Sequence, residues 1–279
     1  MNKPKMKRRS HPVYLLLLLF LVEFCSAVEL PNPVKIEVDK KDGLHSLTLV
    51  NTSAVPISFK FSFTFVNARL VDPQAVLVVV PAKGKVSGPK IRRVDDSKSW
   101  RWDYESRYRI GDFRVKEVNY VFTLPWQRGK AYAVNQGFNG RVSHKGRDAY
   151  AADFDLPEGT LVTASRAGLV VSLESSSNAG GPDESYRDLA NYVLLGHSDG
   201  TVTRYYHLSQ GTVVVNVGDW VETGAVLGRS GNTGFSTAPH LHFDVVRPNR
   251  ALEFETLPFL VWDRNDAVVP KEGLIYQHP

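Results

Sequence analysis

Alternation of apolar and polar residues is the clearest pattern in the N-terminal third of the chain. Residues 57–66 read ISFKFSFTFV, in which four phenylalanines alternate with lysine, serine and threonine. Successive side chains of a strand point to opposite faces, so this period of two predicts a β-strand with one buried face. Shorter apolar runs at 47–50 and 76–80, bounded by turn-forming residues, predict further strands. We therefore predict a β-sandwich-like domain of immunoglobulin type over residues 28–115.

Three aromatic residues share one face of another predicted strand at 99–109 (SWRWDYESRYR). Trp100, Trp102 and Tyr104 are spaced two apart, as residues on one strand face are. An exposed aromatic platform for sugar or peptide is one interpretation, and inward packing is the other. We favour inward packing, because aromatic side chains are large hydrophobic groups that dominate protein cores.

From about residue 115 glycines become frequent and separate short β-type runs. These runs lie at 161–164, 169–173 and 192–195. They predict a second β-rich domain at 116–265, followed by a C-terminal tail at 266–279, and the predicted fold class is therefore all-β. The polar segment 175–190, which contains Gly-Gly-Pro, is predicted to be an exposed loop that lines a cleft.

The first 27 residues have a composition of their own. Five lysines and arginines precede an apolar run at 13–22, and Cys25-Ser26-Ala27 follows with small residues. This three-part pattern is typical of a secretory signal peptide and predicts cleavage after Ala27, with export to the periplasm or the cell exterior. An uncleaved membrane anchor is the alternative, but the run is only half of the roughly 20 residues that a spanning helix needs.

Removal of this segment changes the charge of the protein. The segment holds five of the 34 Lys and Arg and one of the 29 Asp and Glu, so the formal net charge falls from +5 to +1. We therefore expect no basic face for nucleic acid, and no stable membrane span after cleavage. The single cysteine, Cys25, leaves as well, so we expect neither disulfides nor thiol chemistry. The sequence leaves the oligomeric state open.

Four of the eight histidines lie in three short segments of the predicted second domain. His240 and His242, in PHLHFDVV, share one face of a predicted strand, and His207 and His144 lie upstream. The pair alone is equally well interpreted as incidental, but the additional histidines favour a metal site. A catalytic zinc keeps three protein ligands and a water, which the metal makes acidic. Further histidines can then accept the proton of the water or stabilise an oxyanion.

Several separate motifs agree in order and spacing with one known family. They are PEGT at 157–160, YYHL at 205–208, GDWV at 218–221, GNTG at 231–234 and PHLHF at 239–243. Together they resemble the lysostaphin-type, LytM-like zinc metallopeptidases, over roughly residues 130–250 and not over the N-terminal domain. The resemblance implies a β-rich domain with an open groove, one zinc ion per chain, and peptidoglycan stem peptides or crosslinks as substrate.

The resemblance also implies roles for individual residues. His144 and His242 match the family's histidine ligands of zinc, and His207 and His240 match the two catalytic histidines beside the metal. Tyr205, two residues before His207, matches a residue that helps to stabilise the transition state. The choice of zinc rests on this resemblance and on the ligand types.

The carboxylate ligand is ambiguous, because the family pattern His-x-Gly-x-Asp is split from the Asp-Phe strand that normally follows it. Asp148 keeps the family's spacing to His144, whereas Asp153 precedes the phenylalanine and keeps the spacing to Gly159. Strand alternation in AYAADFDL places Asp153 and Asp155 opposite the apolar face, and Asp148 lies in a predicted turn. We rank Asp153 first, Asp148 second and Asp155 third, which implies a five-residue insertion between two ligands.

Two functions of different classes are consistent with these residues. The first is an exported zinc endopeptidase that hydrolyses peptide crosslinks of peptidoglycan during cell-wall remodelling or lysis. The alternative is a non-catalytic relative that binds cell wall or activates another hydrolase, and such relatives typically lack a zinc ligand. Because this chain keeps every candidate ligand and both catalytic histidines, we favour the enzyme. The two-domain layout adds the hypothesis that the N-terminal domain covers the groove.

Overall fold

The computed structural model describes residues 27–279. The predicted signal peptide lies outside the described residues except for Ala27, so it stays a prediction. Strands dominate the described part of the chain, with short 3₁₀ helices at Pro73–Val76, Gly146–Asp148 and Glu184–Leu189. The all-β fold class is therefore confirmed. Within residues 27–279, no helix combines the length and hydrophobicity needed to cross a membrane.

The N-terminal part is a sandwich of two sheets. After the short strand β1 (Val28–Glu29), its strands are β2 (Val34–Lys41), β3 (Leu44–Asn51), β4 (Ile57–Val66), β5 (Ala68–Leu70), β6 (Leu77–Val80), β7 (Lys85–Arg93) and β8 (Arg101–Ile110). One sheet has the order β2-β3-β7-β5 and the other has the order β6-β4-β8. Leu47 and Leu49 from the first sheet share a core with Phe59 and Phe61 from the second, so the two sheets bury their apolar faces against each other.

Strand β4 follows the alternation read from the sequence. Phe61 is buried and Phe63 half-buried, while Ser62 and Thr64 are exposed. Trp102 and Tyr104 pack against Phe63, with ring centroids 6.2 and 6.1 Å apart. The indole Nε1–H of Trp102 donates to His45 Nδ1 at 2.8 Å. The aromatic residues of β8 therefore pack inward, as expected.

The remaining strands build the C-terminal part. They are β9 (Val121–Phe122), β10 (Ala131–Gln136), β11 (Ala151–Phe154), β12 (Leu161–Thr163), β13 (Gly168–Glu174), β14 (Gly180–Gly181), β15 (Asn191–Gly196), β16 (Val202–Leu208), β17 (Trp220–Val221), β18 (Val226–Arg229), β19 (Gly234–Phe235), β20 (Leu241–Pro248), β21 (Phe254–Thr256), β22 (Leu260–Asp263), β23 (Asp266–Val268) and β24 (Ile275–Gln277). The main sheet has the order β1-β13-β15-β16-β20-β11-β10-β24, with β17 and β21 paired beside β13 and β20.

Both ends of the described chain join this main sheet. Val28 pairs with Leu173, so β1 extends the C-terminal sheet instead of the sandwich. Ala131 pairs with Gln277, so β24 closes the other edge. The predicted segments 28–115 and 266–279 therefore each contain a short strand, β1 or β24, that pairs with the main sheet of the C-terminal part. Strands of two or three residues carry too little alternation to be assigned to a sheet from the sequence.

The two faces of the main sheet have different partners. Leu241, Phe243 and Val245 of β20 point into the core of the C-terminal part. On the opposite face, Val202 and Val246 belong to the core of the sandwich. The sandwich thus covers one end of this second face. The other end of the same face carries the polar residues described next.

Candidate metal centre and catalytic groove

Strand register brings the predicted site residues together on β20 and its two neighbours. Asp153 on β11 and Tyr206 on β16 both lie directly opposite His242. Directly opposite residues of antiparallel strands point to the same face of the sheet. Two residues further along β20, Asp244 lies opposite Arg204 on β16. Two rows of polar side chains therefore cross the sheet at the end that the sandwich leaves uncovered.

Three of the predicted residues form a compact ligand cluster. Asp153 Oδ1 lies 3.2 Å from His144 Nε2 and 2.9 Å from His242 Nδ1. One ligand atom from each of His144, Asp153 and His242 lies within 4.8 Å of the others. Ligands about 2.0–2.1 Å from a tetrahedral zinc are roughly 3.3 Å apart, so this spacing suits such an ion.

Each member of the cluster is oriented by a neighbour behind it. His144 Nδ1 lies 2.9 Å from the carbonyl oxygen of Gly137, which can only accept, so the proton is on Nδ1. Asp153 Oδ2 accepts a hydrogen bond from the amide of Gln136 at 2.9 Å. His242 Nε2 lies 3.1 Å from Asp244 Oδ2. Such contacts fix the tautomer and the direction of metal ligands.

An orphaned nitrogen tests whether a metal fits here. Among the described residues, the buried Nε2 of His144 has no hydrogen-bond partner. Because Nδ1 holds the proton, this Nε2 presents a lone pair to a carboxylate oxygen, and two acceptors face each other. A buried polar atom left in this way is costly unless something bridges it. Two imidazoles and one carboxylate are ligands that zinc prefers, so the residues fit the ion.

The charges of the cluster favour a cation. Burial works against ionisation of Asp153, but the neighbouring imidazoles of His144 and His242 hold the pKa of this carboxyl well below its usual range. Burial also opposes charge on His242, yet Asp153 and Asp244 raise the pKa of its imidazole to about 9. The groups around His242 therefore stabilise positive charge at this position.

The two predicted catalytic histidines lie beside the cluster. The rings of His207 and His240 are 4.5 Å apart, and His240 Nε2 is 3.8 Å from Asp153 Oδ1. His207 Nδ1 lies 2.6 Å from the carbonyl oxygen of Thr233, so its Nε2 carries the lone pair. Burial, together with the nearby His240 and His242, lowers the pKa of His207 to about 3. His207 is therefore neutral at neutral pH.

The loop at 231–238 holds both of these histidines. The Gly231 N–H donates to the carbonyl oxygen of His207 at 2.8 Å, and Gly231 also forms a β-bridge with His240. A Cβ at Gly231 would lie 2.7 Å from the Ser209 backbone nitrogen, so this approach requires glycine. His240 Nδ1 lies 2.8 Å from the carbonyl oxygen of Ala238 and 3.1 Å from the hydroxyl of Ser236.

An open groove of about 870 Å³ runs over these residues. Its lining combines aromatic and charged side chains, among them Tyr192, Tyr206, Phe235, Arg141, Arg187, Asp188 and Glu272. The segment 175–190 contributes to the wall, as predicted, although it contains β14 and a 3₁₀ helix and is not a simple loop. Among the described residues that line the groove, none comes from the sandwich. The hypothesis that the N-terminal domain covers the groove is therefore not met in this structure.

Tyr205 is not in the groove, in contrast to its predicted role. Its side chain is fully buried in the core, and its hydroxyl accepts a hydrogen bond from the Ser165 N–H at 2.8 Å. The physical reason is a break in strand alternation. His207 has a left-handed backbone with φ of 66°, so its side chain reaches the groove although it is two residues from an inward-pointing tyrosine. The next residue, Tyr206, lines the groove instead, 5.9 Å from His242 between ring centroids.

The lower-ranked carboxylates lie outside the ligand cluster. Asp148 is in the 3₁₀ helix Gly146–Asp148 and pairs with Arg204 at 3.1 Å. Asp155 is exposed just after β11. His197, interpreted from the sequence as structural, is buried elsewhere and is bonded to Ala167 and Thr203.

Sequence reasoning missed Gln136, Arg204, Tyr206 and Asp244. The alternation that placed His240 and His242 on one face continues to Asp244 and could have identified it. Gln136 and Arg204 come from distant strands and gave no local signal.

Known proteins are similar to the C-terminal part of this chain. The family model described as peptidase family M23 matches residues 147–254. The peptidoglycan DD-endopeptidase ShyA of Vibrio cholerae is 38% identical over 104 residues, covering 36% of this chain and 21% of ShyA. Lysostaphin of Staphylococcus staphylolyticus is 39% identical over 108 residues, covering 38% of this chain and 19% of lysostaphin. The matched part thus spans about a fifth of the length of these relatives.

A zinc containing peptidase from Vibrio cholerae is 20% identical, with 83% of this chain and 56% of that chain covered and a TM-score of 0.34. At this TM-score the structural match adds nothing to the sequence matches.

Proposed function

We propose that this chain is an exported zinc endopeptidase, from the premise that residues 147–254, which match the model of peptidase family M23, belong to a LytM-like peptidase domain. Its proposed substrates are the peptide crosslinks of bacterial peptidoglycan, and its proposed role is cell-wall remodelling or lysis. The family match and the relatives support a metallopeptidase that acts on the cell wall. Export is supported by the sequence of residues 1–27 and by the nature of the substrate.

One observation carries the proposal. His144, Asp153 and His242 converge at the floor of an open groove, and His207 and His240 face the same space. We assign the first three as ligands of a single zinc ion. An open groove suits an extended peptide better than a small enclosed molecule.

The zinc ion would supply a water of lowered pKa and would polarise the scissile carbonyl group. The protein residues position and move protons around it. His207 offers a lone pair at Nε2, because its Nδ1–H is bonded to Thr233. We propose that this Nε2 accepts the proton of the attacking water and later returns it to the leaving amine.

His240 holds the other side of the proposed reaction centre. Its Nδ1–H is directed to the carbonyl oxygen of Ala238, which leaves Nε2 facing the groove. In its protonated form this nitrogen would donate to the oxyanion that develops on the scissile carbonyl. Side chains such as Tyr206 and Phe235 would contact the peptide on either side of the bond.

Defined muropeptides provide the test. Residues 28–279 are incubated with purified crosslinked muropeptides, and the products are identified by mass spectrometry, which also shows which bond is cut. We expect two peptide fragments for each crosslink, no products with a chelator, and cleavage slowed about 10²–10⁴-fold in the His240→Ala variant. A zinc-loaded protein that leaves all muropeptides intact would favour the alternative, a cell-wall-binding or hydrolase-activating relative.

A further inference from the structure

A second carboxylate contacts the proposed ligand His242 from behind. Asp244 is fully buried and lies two residues after His242 on the same strand. Its Oδ2 is 3.1 Å from His242 Nε2. Directly opposite, Arg204 donates to both of its oxygens, from Nε to Oδ1 at 2.7 Å and from a terminal nitrogen to Oδ2 at 2.5 Å. The pair has the bidentate geometry that makes arginine–carboxylate contacts strong and directional.

The two nitrogens of His242 therefore face two different carboxylates. Nδ1 lies 2.9 Å from Asp153 Oδ1, inside the ligand cluster. Nε2 faces Asp244, whose oxygens are already engaged by a guanidinium that cannot lose its proton. Asp244 can accept a hydrogen bond from the Nε2–H of His242, and the Nδ1 lone pair is then directed at the cluster.

Arg204 also connects the other side of the cluster. The terminal nitrogen that binds Asp244 lies 3.1 Å from Asp148 Oδ1. Asp148 belongs to the 3₁₀ helix that follows His144, within the segment interpreted as an insertion. The same guanidinium thus anchors the segment that carries His144 and the carboxylate that orients His242.

We propose that Asp244 and Arg204 are positioning residues of the metal centre, and that Asp148 acts through Arg204. Asp244 selects the His242 tautomer that ligates through Nδ1, and Arg204 holds Asp244 in place through both of its oxygens. Arg204 also prevents Asp244 from competing with Asp153 as a ligand. This inference rests on the metal site of the proposed function and goes beyond it by assigning residues that do not touch the metal.

A purely structural ion pair is the competing explanation. A buried arginine–aspartate pair contributes little net stability, because desolvation of both charges offsets their attraction. The two explanations differ in what an Asp244 variant changes. A structural pair affects the stability of the metal-free protein, whereas a positioning residue affects the zinc affinity of the folded protein.

The test compares zinc affinity with the stability of the metal-free protein. The dissociation constant for zinc is measured by competition with a chromophoric chelator for wild type and Asp244→Asn, and the folded fraction is verified by circular dichroism. We expect Asp244→Asn to bind zinc about 10–100-fold more weakly, the range found when partners of metal ligands are removed. The matched control is Asp199→Asn, which breaks an Arg166–Asp199 contact of 2.5 Å outside the groove and should leave the affinity unchanged.

A second variant keeps the test decisive if Asp244→Asn does not fold. Asp244→Leu combined with Arg204→Met removes both charges, so no unpaired charge remains buried. We expect the same 10–100-fold loss, and a loss of a few-fold for Asp148→Asn at its half-exposed position. Wild-type zinc affinity in the folded Asp244 variants would overturn the proposal. Wild-type protein that binds zinc but cuts no muropeptide would refute the proposed function and leave this inference standing.

Discussion

Two buried aspartates flank His242, and the structure gives them opposite surroundings. Asp153 Oδ1 is faced by nitrogens of three histidines, at 2.9, 3.2 and 3.8 Å. Asp244 is engaged on both oxygens by Arg204. Burial opposes the ionisation of Asp244, but the guanidinium of Arg204 lowers its pKa to about 2. The ring nitrogens around Asp153 can share a cation with its carboxylate, whereas Asp244 already has Arg204 as its counter-ion.

A similar contrast separates two buried histidines. His207 and His197 both place Nδ1 against a backbone carbonyl, that of Thr233 and that of Ala167. In His197 the other nitrogen, Nε2, is 3.0 Å from the hydroxyl of Thr203 and is thereby satisfied. In His207 the other nitrogen faces the groove. The comparison teaches that a functional polar residue is recognised by the atom that its neighbours leave available, and burial alone does not identify it.

The largest expected effect is on Asp153. Asp153→Ala should abolish stoichiometric zinc binding, because a ligand is lost and two imidazoles alone hold the ion. The affinity should fall about a thousandfold, since zinc sites bind with roughly 10–16 kcal/mol, which is about 3–5 kcal/mol for each of three ligands. Equilibrium dialysis followed by metal analysis measures this loss.

The control for this variant is Asp155→Asn, at an exposed position two residues away. It should retain wild-type zinc affinity. Loss of zinc in Asp155→Asn, or retention of zinc in Asp153→Ala, would mean that the ligand carboxylate has been assigned incorrectly.

The next effect separates catalysis from metal binding. His207→Ala and His240→Ala should each lower kcat/KM on a crosslinked muropeptide about 10²–10⁴-fold, the usual contribution of a general acid or base. Both variants should still bind one zinc ion per chain, because neither ring belongs to the ligand cluster. Loss of metal in either variant would contradict the division of roles.

The pH dependence of stability tests whether burial keeps His197 neutral. Burial, with a smaller effect of Arg166, lowers the pKa of His197 to about 4 in the folded protein from 6.5. Its stabilising contribution is therefore complete above pH 6.5 and is lost as the pH falls toward 4. The loss amounts to about 3 kcal/mol.

Urea unfolding of metal-free wild type and His197→Asn between pH 7.5 and 4 measures this term. The variant should be less stable at pH 7.5, and its curve should be flatter by about the same 3 kcal/mol. Parallel curves for the two proteins would show that His197 is not kept neutral by burial.

The smallest effect concerns Tyr205. Tyr205→Phe removes a buried hydroxyl that accepts the Ser165 N–H, so it should cost about 1–3 kcal/mol of stability through an unpaired donor. Cleavage of muropeptides should remain at the wild-type rate. A large loss of activity at unchanged stability would support the catalytic role predicted for Tyr205 from the sequence.

Much of the fold follows from local pattern, and the exceptions have physical causes. The alternation at 57–66 is long enough to predict β4 and its buried face, and runs at 161–164 and 192–195 correspond to β12 and β15. The short strands β1 and β24 were missed as members of the main sheet. Their pairing is decided by the partners β13 and β10, far away in sequence.

The structure brings predicted site residues together where strand alternation holds, and places one of them in the core where the alternation breaks. Alternation ranked Asp153 above Asp148, and the structure places Asp153 beside two histidines while Asp148 pairs with Arg204. The ligand assignment itself stays a prediction. Tyr205 is predicted to face the groove because it lies two residues before His207. The left-handed backbone at His207 turns the histidine side chain into the groove, while the side chain of Tyr205 points into the core. A single positive φ in a non-glycine residue cannot be read from alternation.

Anomalous X-ray diffraction at the zinc edge, on crystals of the zinc-loaded protein, tests the central claim most directly. We predict one anomalous peak per chain, about 2.0–2.2 Å from His144 Nε2, Asp153 Oδ1 and His242 Nδ1. A peak between Asp148 and Asp244, or no peak beside Asp153, would contradict the assignment of Asp153 as the carboxylate ligand.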